Sequence, residues 1–425
     1  MSGREHSARA RPSRRGFLTA AGAGALGALT AGTVAGDLLS GATPAAADDA
    51  LAGAQVPFHG LHQAGIVTPA QDRLLFATFD LTTNDRGDVV RLLQEWTRAA
   101  RRMTAGAPVG SDNADLDAPP DDTGEAAGLG PASLTVTFGV GGSLFRKDGV
   151  DRYGLAARRP AALVDLPEFA GDVVDPARSD GDLAVQACAD DPNVCFHAIR
   201  NLARIARGTA VLRWSQMGFG RTSSTDATQE TPRNLMGFKD GTNNVVAEDT
   251  DALRSSVWVG AADDPAWMRD GSYMVVRRIR MLLEVWDRST LADQQLTIGR
   301  TKTAGAPLGA RREHDAVDLD ATSDGDPVIP VDAHIRLAAP SEAEGARLLR
   351  RGYSFTDGID PVTNQLDAGL FFVAFQRDPR TGFVRVQQNL ATDALNEYIR
   401  HTGSGVFAIP PGTTPTGFVG ETLFA

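Results

Sequence analysis

Histidine is the residue type in this chain that is best suited to bind a metal, and it is scarce. The 425 residues contain seven histidines, of which His6 lies in the first 47 residues, a segment that we expect to be cleaved off. His334 differs from the others because the alternating segment 331–337 predicts a strand that fixes its direction, with Arg336 on the same face. An imidazole on a rigid strand makes a good axial ligand, although a core histidine bonded to a neighbour has the same pattern. Loops, a polar helix face or a helix end explain the remaining five, which are His59, His62, His197, His314 and His401. For His314, which lies between Glu313 and Asp315, a metal role stays open as an alternative.

A carboxylate between glycines is the second feature with chemical potential. Residues 237–244 read GFKDGTNN, so Asp240 lies in a segment too rich in turn residues for a helix or a strand. The glycines let the backbone approach a ligand closely. An ordinary Asp-Gly turn, with Asn243 bonding the backbone, is the simpler interpretation of the composition. The motif by itself leaves both interpretations open.

Two adjacent arginines are the third feature. Residues 348–354 read LLRRGYS and place Arg350 and Arg351 at the end of a predicted helix, sixteen positions beyond His334. Guanidinium groups suit sites that handle negative charge. Solvation at the protein surface is the alternative, and the pattern alone does not decide between them.

Together, the runs GFKDGTN at 237–243, HIRL at 334–337 and LLRRGYS at 348–354 resemble the motifs of the dye-decolourising haem peroxidases. The resemblance covers nearly the whole chain after the N-terminal segment, and the most similar subgroup is the secreted branch with the deferrochelatase/peroxidase of bacterial iron-uptake systems. It implies haem b, and oxidation of dyes, phenolics or related donors by hydrogen peroxide through a ferryl intermediate. It also includes three further runs, 60–66, 299–309 and 369–376.

Carried over by position, the resemblance implies that His334 is the proximal iron ligand and Asp240 the distal acid–base residue. Arg350 would be the distal partner, with Arg351 as the second choice, and Asp393 would orient the proximal histidine. Two groups of residues would border the haem, and they are Gly241, Thr242 and Asn243, and Ala339, Pro340 and Ser341. At the second group relatives carry Asn-Pro-Arg, so an arginine contact to a propionate is missing here.

The reaction and its donor stay open at this stage. The iron-uptake branch suggests an alternative, release of iron from haem with the porphyrin intact, together with other components of an uptake system. A haem carrier without catalysis is a second alternative, and a haemless exported binding protein is a third. Bulky donors that cannot enter a buried pocket would need electron transfer through an aromatic residue, for which the candidates are Tyr353, Trp286 and Tyr398.

The first 47 residues are typical of an export signal. A basic segment with Arg14-Arg15 is followed by a mildly apolar stretch, 20–39, and by Ala45-Ala46-Ala47, as in a cleaved twin-arginine signal. Asp37 and the Gly and Thr residues of the stretch argue against an uncleaved membrane anchor. We therefore expect a periplasmic or extracellular protein with no stable membrane span after cleavage.

Composition narrows the classes of partner and cofactor. Removing residues 1–47 takes away five Arg, one Glu and one Asp, which leaves 37 basic and 51 acidic residues and a net charge of about −14. This charge argues against a nucleic-acid partner. Cys188 and Cys195 are too few for a thiolate zinc site or an iron–sulfur cluster within one chain, and they could be disulfide-bonded or free. A homodimer is compatible with the sequence but is not indicated by it.

The elements that would position these residues form an α+β pattern. In a predicted N-terminal domain, 48–225, the order is strand, helix, strand, strand, helix, strand. A disordered acidic loop is predicted near 105–131, where Asp, Gly and Pro occur without periodicity. The strands are expected at 74–81, 134–140, 183–187 and 209–217, and the helices at 89–103 and 195–206.

A predicted C-terminal domain, 226–425, repeats this order with additional elements. We therefore predict two ferredoxin-like domains, each an antiparallel sheet covered by helices, with the haem held mainly by the C-terminal one. Strands are expected at 273–286, around His334, at 369–376 and at 405–409, and helices at 289–296, 341–351 and 393–401.

Overall fold

The structure is a computed structural model that describes residues 54–110, 115–263 and 265–425. The predicted export signal, 1–47, lies outside the described residues. None of the helices in these three ranges is both long and apolar enough to cross a bilayer.

Four antiparallel strands form the sheet of the N-terminal half, in the order β2-β3-β1-β4. Helices α1 (Arg86–Met103) and α2 (Pro192–Ile205) cover its outer face with the apolar stripes that the sequence predicts, and Asp85 caps the first of them. The strands are β1 (Arg73–Leu81), β2 (Thr135–Gly141), β3 (Leu183–Ala189) and β4 (Ala210–Arg221).

The C-terminal half repeats this arrangement. Its strands are β5 (Ser272–Met281), β6 (Leu349–Arg350), β7 (Tyr353–Ile359), β8 (Leu366–Gln376) and β9 (Ile399–Ile409). The order is β9-β5-β8-β7, and β6 pairs with the same edge of β8 as β7 does. With β6 and β7 counted as one strand, the first strand of each half lies between the third and the fourth, which is the ferredoxin-like order and confirms the predicted fold class.

The two sheets join along both edges. Strand β2 pairs with β9 at Val140↔Ala408, and β4 pairs with β7 at Phe219↔Ser354. Because the pairing is continuous through both halves, the domain boundary at 225/226 stays a prediction. Inward-facing side chains of both sheets form one apolar core, which includes Leu74, Phe76, Met274, Val276, Phe371, Val373 and Phe407.

The helices of the C-terminal half are short and lie on the outer face of its sheet. Among them are α3 (Leu291–Ile298), α4 (His334–Leu337) and α5 (Phe383–Asn389). Further α-helical segments of three or four residues occur at Thr250–Ala252, Leu283–Trp286 and Glu421–Phe424, and at Gly142–Phe145 in the N-terminal half. A π-helical turn spans Leu253–Val257, and two strands of two residues each, Thr322–Ser323 and Asp326–Pro327, pair as a hairpin.

The strand predicted around His334 is wrong. Residues 334–337 form the single turn α4, because the segment pairs with no strand of the described structure and must satisfy its backbone hydrogen bonds locally. The Arg336 guanidinium donates hydrogen bonds to the carbonyls of Leu319, Ile329 and Pro330, which holds this turn against the preceding segment.

Two predicted helices are also wrong. Glu344 and Gly345 have φ values of 54° and 83°, which interrupts the helix expected at 341–351 and leaves Arg350 on strand β6 with Arg351 directly after it. The helix expected at 393–401 is reduced to one 3₁₀ turn, Ala394–Glu397, because pairing with β5 draws the chain from Ile399 onward into β9. Similarly, the strand expected at 273–286 ends at Met281 and is followed by the helical turn Leu283–Trp286.

The acidic loop has no helix or strand in its described part, but it is attached to the protein. Asp122 accepts a hydrogen bond from the Val109 N–H at 2.7 Å and lies 2.8 Å from Nε2 of His197. Glu125 pairs with Arg200 at 3.0 Å. These contacts hold part of the loop against α2, and the disorder expected near 105–131 stays a prediction. His197 is buried under this part of the loop rather than on a polar helix face.

The cysteines are free thiols in this structure. Both are buried, and they lie in different cores. Cys188 faces the core between the sheets, whereas Cys195 faces the layer of helices. The disulfide alternative is not supported.

His401 gives the fold a pH-dependent stability. It lies in β9 with 6% of its surface exposed, and burial together with the Arg277 charge lowers its pKa to about 3. Nδ1 of His401 lies 3.4 Å from Asp172, whose negative charge would favour the protonated imidazole. Because Asp172 is already paired with Arg277, we expect the pKa of His401 to stay lowered. The unfolded chain takes up this proton near pH 6.5 and the folded chain does not, so stability falls as the pH drops below about 6.5.

We therefore predict that the free energy of unfolding falls more between pH 7 and pH 5 in the natural protein than in a His401→Gln variant. The expected difference is at most about 2 kcal/mol. Urea unfolding followed by tryptophan fluorescence at both pH values measures it. Equal changes in the two proteins would contradict the prediction.

Candidate active site

Asp240 and Arg350 meet in the folded structure although 110 positions separate them in the chain. Nη1 of Arg350 donates a hydrogen bond to Oδ1 of Asp240 at 2.8 Å, and Nδ2 of Asn234 donates to Oδ2 at 3.3 Å. Both members of the ion pair are largely buried, with 17% of the Asp240 side chain and 27% of the Arg350 side chain exposed. The carboxylate is thus oriented by a permanently charged group and retains access to a ligand.

The loop that carries Asp240 is shaped by its own backbone. The Asp240 N–H donates to the Pro232 carbonyl at 2.9 Å, and the Asn234 N–H donates to the Phe238 carbonyl at 3.0 Å. Gly241 has a φ of 92°, and a Cβ atom at this position would lie 2.8 Å from Cα of Ser223. The close approach therefore requires glycine, as the sequence indicated.

The structure distinguishes the two adjacent arginines. Arg350 reaches Asp240, whereas Arg351 is fully buried and donates to the Thr68 carbonyl and to Oε1 of Gln71. Successive residues of a strand point to opposite faces, which explains the separation. The geometry thus favours Arg350 over Arg351 as the partner of Asp240.

His334 is held by Asp393. Its Nδ1 lies 2.6 Å from Oδ2 of Asp393, whose other oxygen accepts the Leu395 N–H at 2.8 Å. Burial opposes a charge on the imidazole, but the Asp393 carboxylate outweighs it and raises the pKa of His334. The charge of Asp240 acts in the same direction and that of Arg350 in the opposite one, so the distal pair lies within electrostatic range of the histidine.

Apolar side chains surround this region. Phe238 and Trp286 are buried and pack edge to face with ring centroids 5.8 Å apart. Nε2 of His334 has no hydrogen-bond partner among the described residues and remains available to a ligand. The cluster also contains Met236, Met281, Ile298 and Leu395, with Leu283, Ile335 and Leu370 partly buried against it.

The other predicted site residues lie in the loop after Asp240 and in the turn after α4. Oγ1 of Thr242 donates to Glu313 at 3.0 Å, and Asn243 is exposed. Ala339, Pro340 and Ser341 form the turn after α4, where the Glu342 N–H donates to the Ala339 carbonyl at 3.0 Å. A contact between this turn and a haem stays a prediction.

Three residues near the distal pair were not assigned from the sequence. Asn234 contacts Asp240 itself, and Asn244 bonds the backbone of Arg350. Glu313 bonds Lys239 and Thr242, on either side of the distal acid. Asn244 is the last residue of the GFKDGTNN motif, which was the only sequence signal for it. Nothing in the sequence around Glu313 indicated its contact with Lys239, which is more than 70 positions away.

Family models match both halves of the chain. The model described as "Dyp-type peroxidase, N-terminal" matches residues 63–220, and "Dyp-type peroxidase, C-terminal" matches residues 231–414. The chain belongs to the Dyp-type peroxidase family. This confirms the resemblance, makes the protein an enzyme of the haem peroxidase type, and implies a haem cofactor, hydrogen peroxide and a reducing substrate. The alternatives of a non-catalytic haem carrier and a haemless binding protein receive no support.

Individual relatives agree with this membership. The chain is 43% identical to "Dye-decolorizing peroxidase" of Thermobifida fusca (strain YX), with 94% of each chain covered. It is 40% identical to "Deferrochelatase" of Escherichia coli (strain K12), with 84% of each covered. Among solved structures, ferric DtpA from Streptomyces lividans is 44% identical with a TM-score of 0.80, over 88% of this chain and 99% of that one.

The contact between Asp393 and His334 generates a prediction for this Dyp-type peroxidase. Replacement of a group that orients a metal-ligating histidine typically costs 10–100-fold in metal affinity or activity. We expect Asp393→Ala to weaken retention of haem by roughly tenfold or more, because the imidazole loses its fixed orientation. Transfer of haem to an excess of apomyoglobin, followed by visible absorption, measures retention. Unchanged transfer kinetics would show that the carboxylate is dispensable.

Proposed function

We propose that the protein uses hydrogen peroxide to oxidise organic donors at a haem b bound between His334 and the Asp240–Arg350 pair. The observation that carries this proposal is the 2.8 Å ion pair, which lies within electrostatic range of a histidine whose Nδ1 is already engaged by Asp393. A carboxylate can move a proton, a guanidinium can stabilise developing negative charge, and an imidazole can hold iron.

The described residues fit such a cofactor. His334 offers one free imidazole nitrogen, and the apolar cluster around Phe238 and Trp286 offers the surroundings that a porphyrin requires. When bound, the haem would supply the redox-active iron at which the peroxide O–O bond is cleaved. Gly241, Thr242 and Asn243 on one side, and Ala339, Pro340 and Ser341 on the other, are proposed to border it.

Asp240 is proposed to move the proton that cleavage of peroxide requires. One peroxide oxygen must lose a proton and the other must gain one before it departs as water. The Asp240 carboxylate can accept the proton and deliver it, since Asn234 and Arg350 fix its two oxygens. Arg350 is charged at every relevant pH and would stabilise the negative charge that builds up on the departing oxygen.

Asp393 is proposed to control the basicity of the proximal histidine. Because its carboxylate accepts the Nδ1 proton of His334 at 2.6 Å, Nε2 keeps its lone pair for the metal. A histidine held in this way is a stronger electron donor to a bound metal than one hydrogen-bonded to a neutral group.

Bulky donors require a route for electrons to the protein surface. Tyr353 and Trp286 are buried, whereas Tyr398 is partly exposed and packs edge to face on Trp286 with centroids 4.9 Å apart. Among the three predicted candidates, this geometry favours Tyr398 as the outer residue and Trp286 as the inner one.

The cellular setting completes the proposal. The twin-arginine motif at Arg14-Arg15 supports export of the folded protein to the periplasm or the cell exterior. A homodimer and association with components of an iron-uptake system are further proposals that rest on the sequence alone.

A second candidate function is supported by the relatives named "Deferrochelatase". In that reaction iron would leave haem while the porphyrin stays intact. Incubation of the protein with haem and a reductant, followed by fluorescence detection of free protoporphyrin, distinguishes the two. Porphyrin release without added peroxide would favour this candidate, and turnover of donors only with peroxide would favour the peroxidase.

Substitutions of the two central residues should separate binding from chemistry. We expect Asp240→Asn to retain haem but to lose about 100-fold or more of its peroxide-dependent dye oxidation, because proton transfer is removed. His334→Ala should lose haem retention, because it loses the iron ligand. Visible absorption and steady-state dye oxidation measure the two effects.

Asp251→Asn is a suitable control for these variants. Asp251 is exposed and forms only a surface pair with Arg254, so both haem content and turnover should stay unchanged. Full peroxide-dependent turnover by Asp240→Asn would refute the proposed role of the carboxylate. A purified protein that stays colourless with added haem would refute the proposed function as a whole.

A further inference from the structure

The seam between the two sheets opens beside Arg350. Strand β4 pairs with β7 at Arg221↔Tyr353, and the Thr222 N–H donates to the Gly352 carbonyl at 2.8 Å. Continuing this antiparallel register would place Ser224 opposite Arg350. In the described structure no backbone hydrogen bond joins these two residues.

The side-chain amide of Asn244 fills this opening. Its Oδ1 accepts the Arg350 N–H at 2.7 Å, and its Nδ2 donates to the Arg350 carbonyl at 2.8 Å and to the Ser224 carbonyl at 2.8 Å. The amide therefore takes the place of a peptide group between two strands that have moved apart. It supplies one acceptor and two donors, and all three are used.

The same residue belongs to the loop of the distal acid. Asn244 is four positions beyond Asp240, and its N–H donates to the Gly241 carbonyl at 3.0 Å, which closes the turn between them. The other edge of β6 is held by β8, where the Arg351 N–H donates to the Val373 carbonyl at 2.8 Å. Arg350 is thus fixed on one edge by a strand and on the other by a single side chain from the Asp240 loop.

We propose that Asn244 is a positioning residue that sets the guanidinium of Arg350 against the carboxylate of Asp240. The proposal rests on the peroxidase mechanism given above, in which these two groups act together on peroxide. Its basis is that Asn244 links the loop of one group directly to the backbone of the other, although their positions in the chain are far apart.

Only asparagine meets the requirements at this position. Aspartate has nearly the same shape but carries no donor, so one of its oxygens would face the carbonyls of Arg350 and Ser224. Alanine would leave an N–H and two carbonyls without their partner in a largely buried place. Glutamine would push the amide one methylene too far for bonds of 2.7–2.8 Å.

Loss of this amide should displace Arg350 without removing it. Shifts of about 1 Å in a catalytic constellation can lower rates by roughly 100-fold. We expect Asn244→Ala and Asn244→Asp to retain haem through His334 but to react with hydrogen peroxide about ten- to 100-fold more slowly. The value of kcat/KM for a small phenolic donor should change little, because the donor reacts after peroxide has been consumed.

Two measurements on the haem-loaded protein test this inference. Stopped-flow absorption gives the second-order rate constant for hydrogen peroxide, and hydrogen–deuterium exchange gives the protection of the Arg350 amide. Faster exchange together with slower reaction in both variants is the expected result. Faster exchange with a peroxide rate within twofold of the natural protein would overturn the proposal, because the amide would then be structural only.

Asn201→Ala is the matched control. Asn201 on α2 is also a buried amide that ties a loop to another element, because its Nδ2 donates to Oγ1 of Thr123 as well as to the His197 carbonyl of its own helix, but it lies in the N-terminal half. It should lower stability and leave the peroxide rate unchanged. An equal loss of rate in this control would overturn the proposal, because it would trace the effect to stability alone.

Asp240→Asn in the same assay separates this inference from the proposed function. If Asp240→Asn loses the peroxide reaction and Asn244→Ala does not, only the positioning role fails. If Asp240→Asn reacts like the natural protein, the mechanism itself fails and the positioning role fails with it.

Discussion

Edge-to-edge closure of the two sheets is the constraint on which the rest of the structure depends. Each sheet alone would expose two edges with unpaired N–H and C=O groups, and joining β2 to β9 and β4 to β7 satisfies them. The closure also gives β1 and β3 two buried faces, since one face meets the opposite sheet and the other meets the helices. The proposed haem site lies in the C-terminal half, where the helices are short and the loops are long.

The two residues proposed to be catalytic, Asp240 and Arg350, lie where this regular pairing stops. Arg350 is on a strand of two residues, and Asp240 is in a turn, so neither is positioned by a long ladder of backbone hydrogen bonds. Side-chain to backbone contacts replace the ladder, most clearly the three bonds of Asn244. Arg351, directly after β6, continues the pairing with β8 and points into the interior, where its guanidinium donates to neutral acceptors instead of to Asp240.

Sequence patterns predicted the fold well where packing follows periodicity. The strands near 74–81 and 134–140 and the apolar stripes of both N-terminal helices were found because apolar side chains alternate along the strands and recur every three or four residues along the helices. Sequence patterns failed at 334–337, because the segment with His334 has no strand beside it in the described structure. They failed at 341–351, because residues 344 and 345 adopt left-handed conformations. The ion pair of Asp240 with Arg350 was expected from the family motifs alone, and the contacts of Asn234 and Glu313 depend on chain reversals that no local pattern records.

Charge balance explains how this site can be both apolar and reactive. The distal pair of Asp240 with Arg350 and the proximal pair of His334 with Asp393 each place a carboxylate beside a basic group, and a cluster of apolar side chains surrounds them. Desolvating an unpaired charge is costly, whereas a hydrogen-bonded pair recovers much of that cost. The charges of Asp240 and Arg350 act in opposite directions on the pKa of His334, so the pair disturbs the imidazole less than either charge would alone. The groups proposed to activate peroxide can therefore lie near the proposed iron ligand without dominating its protonation.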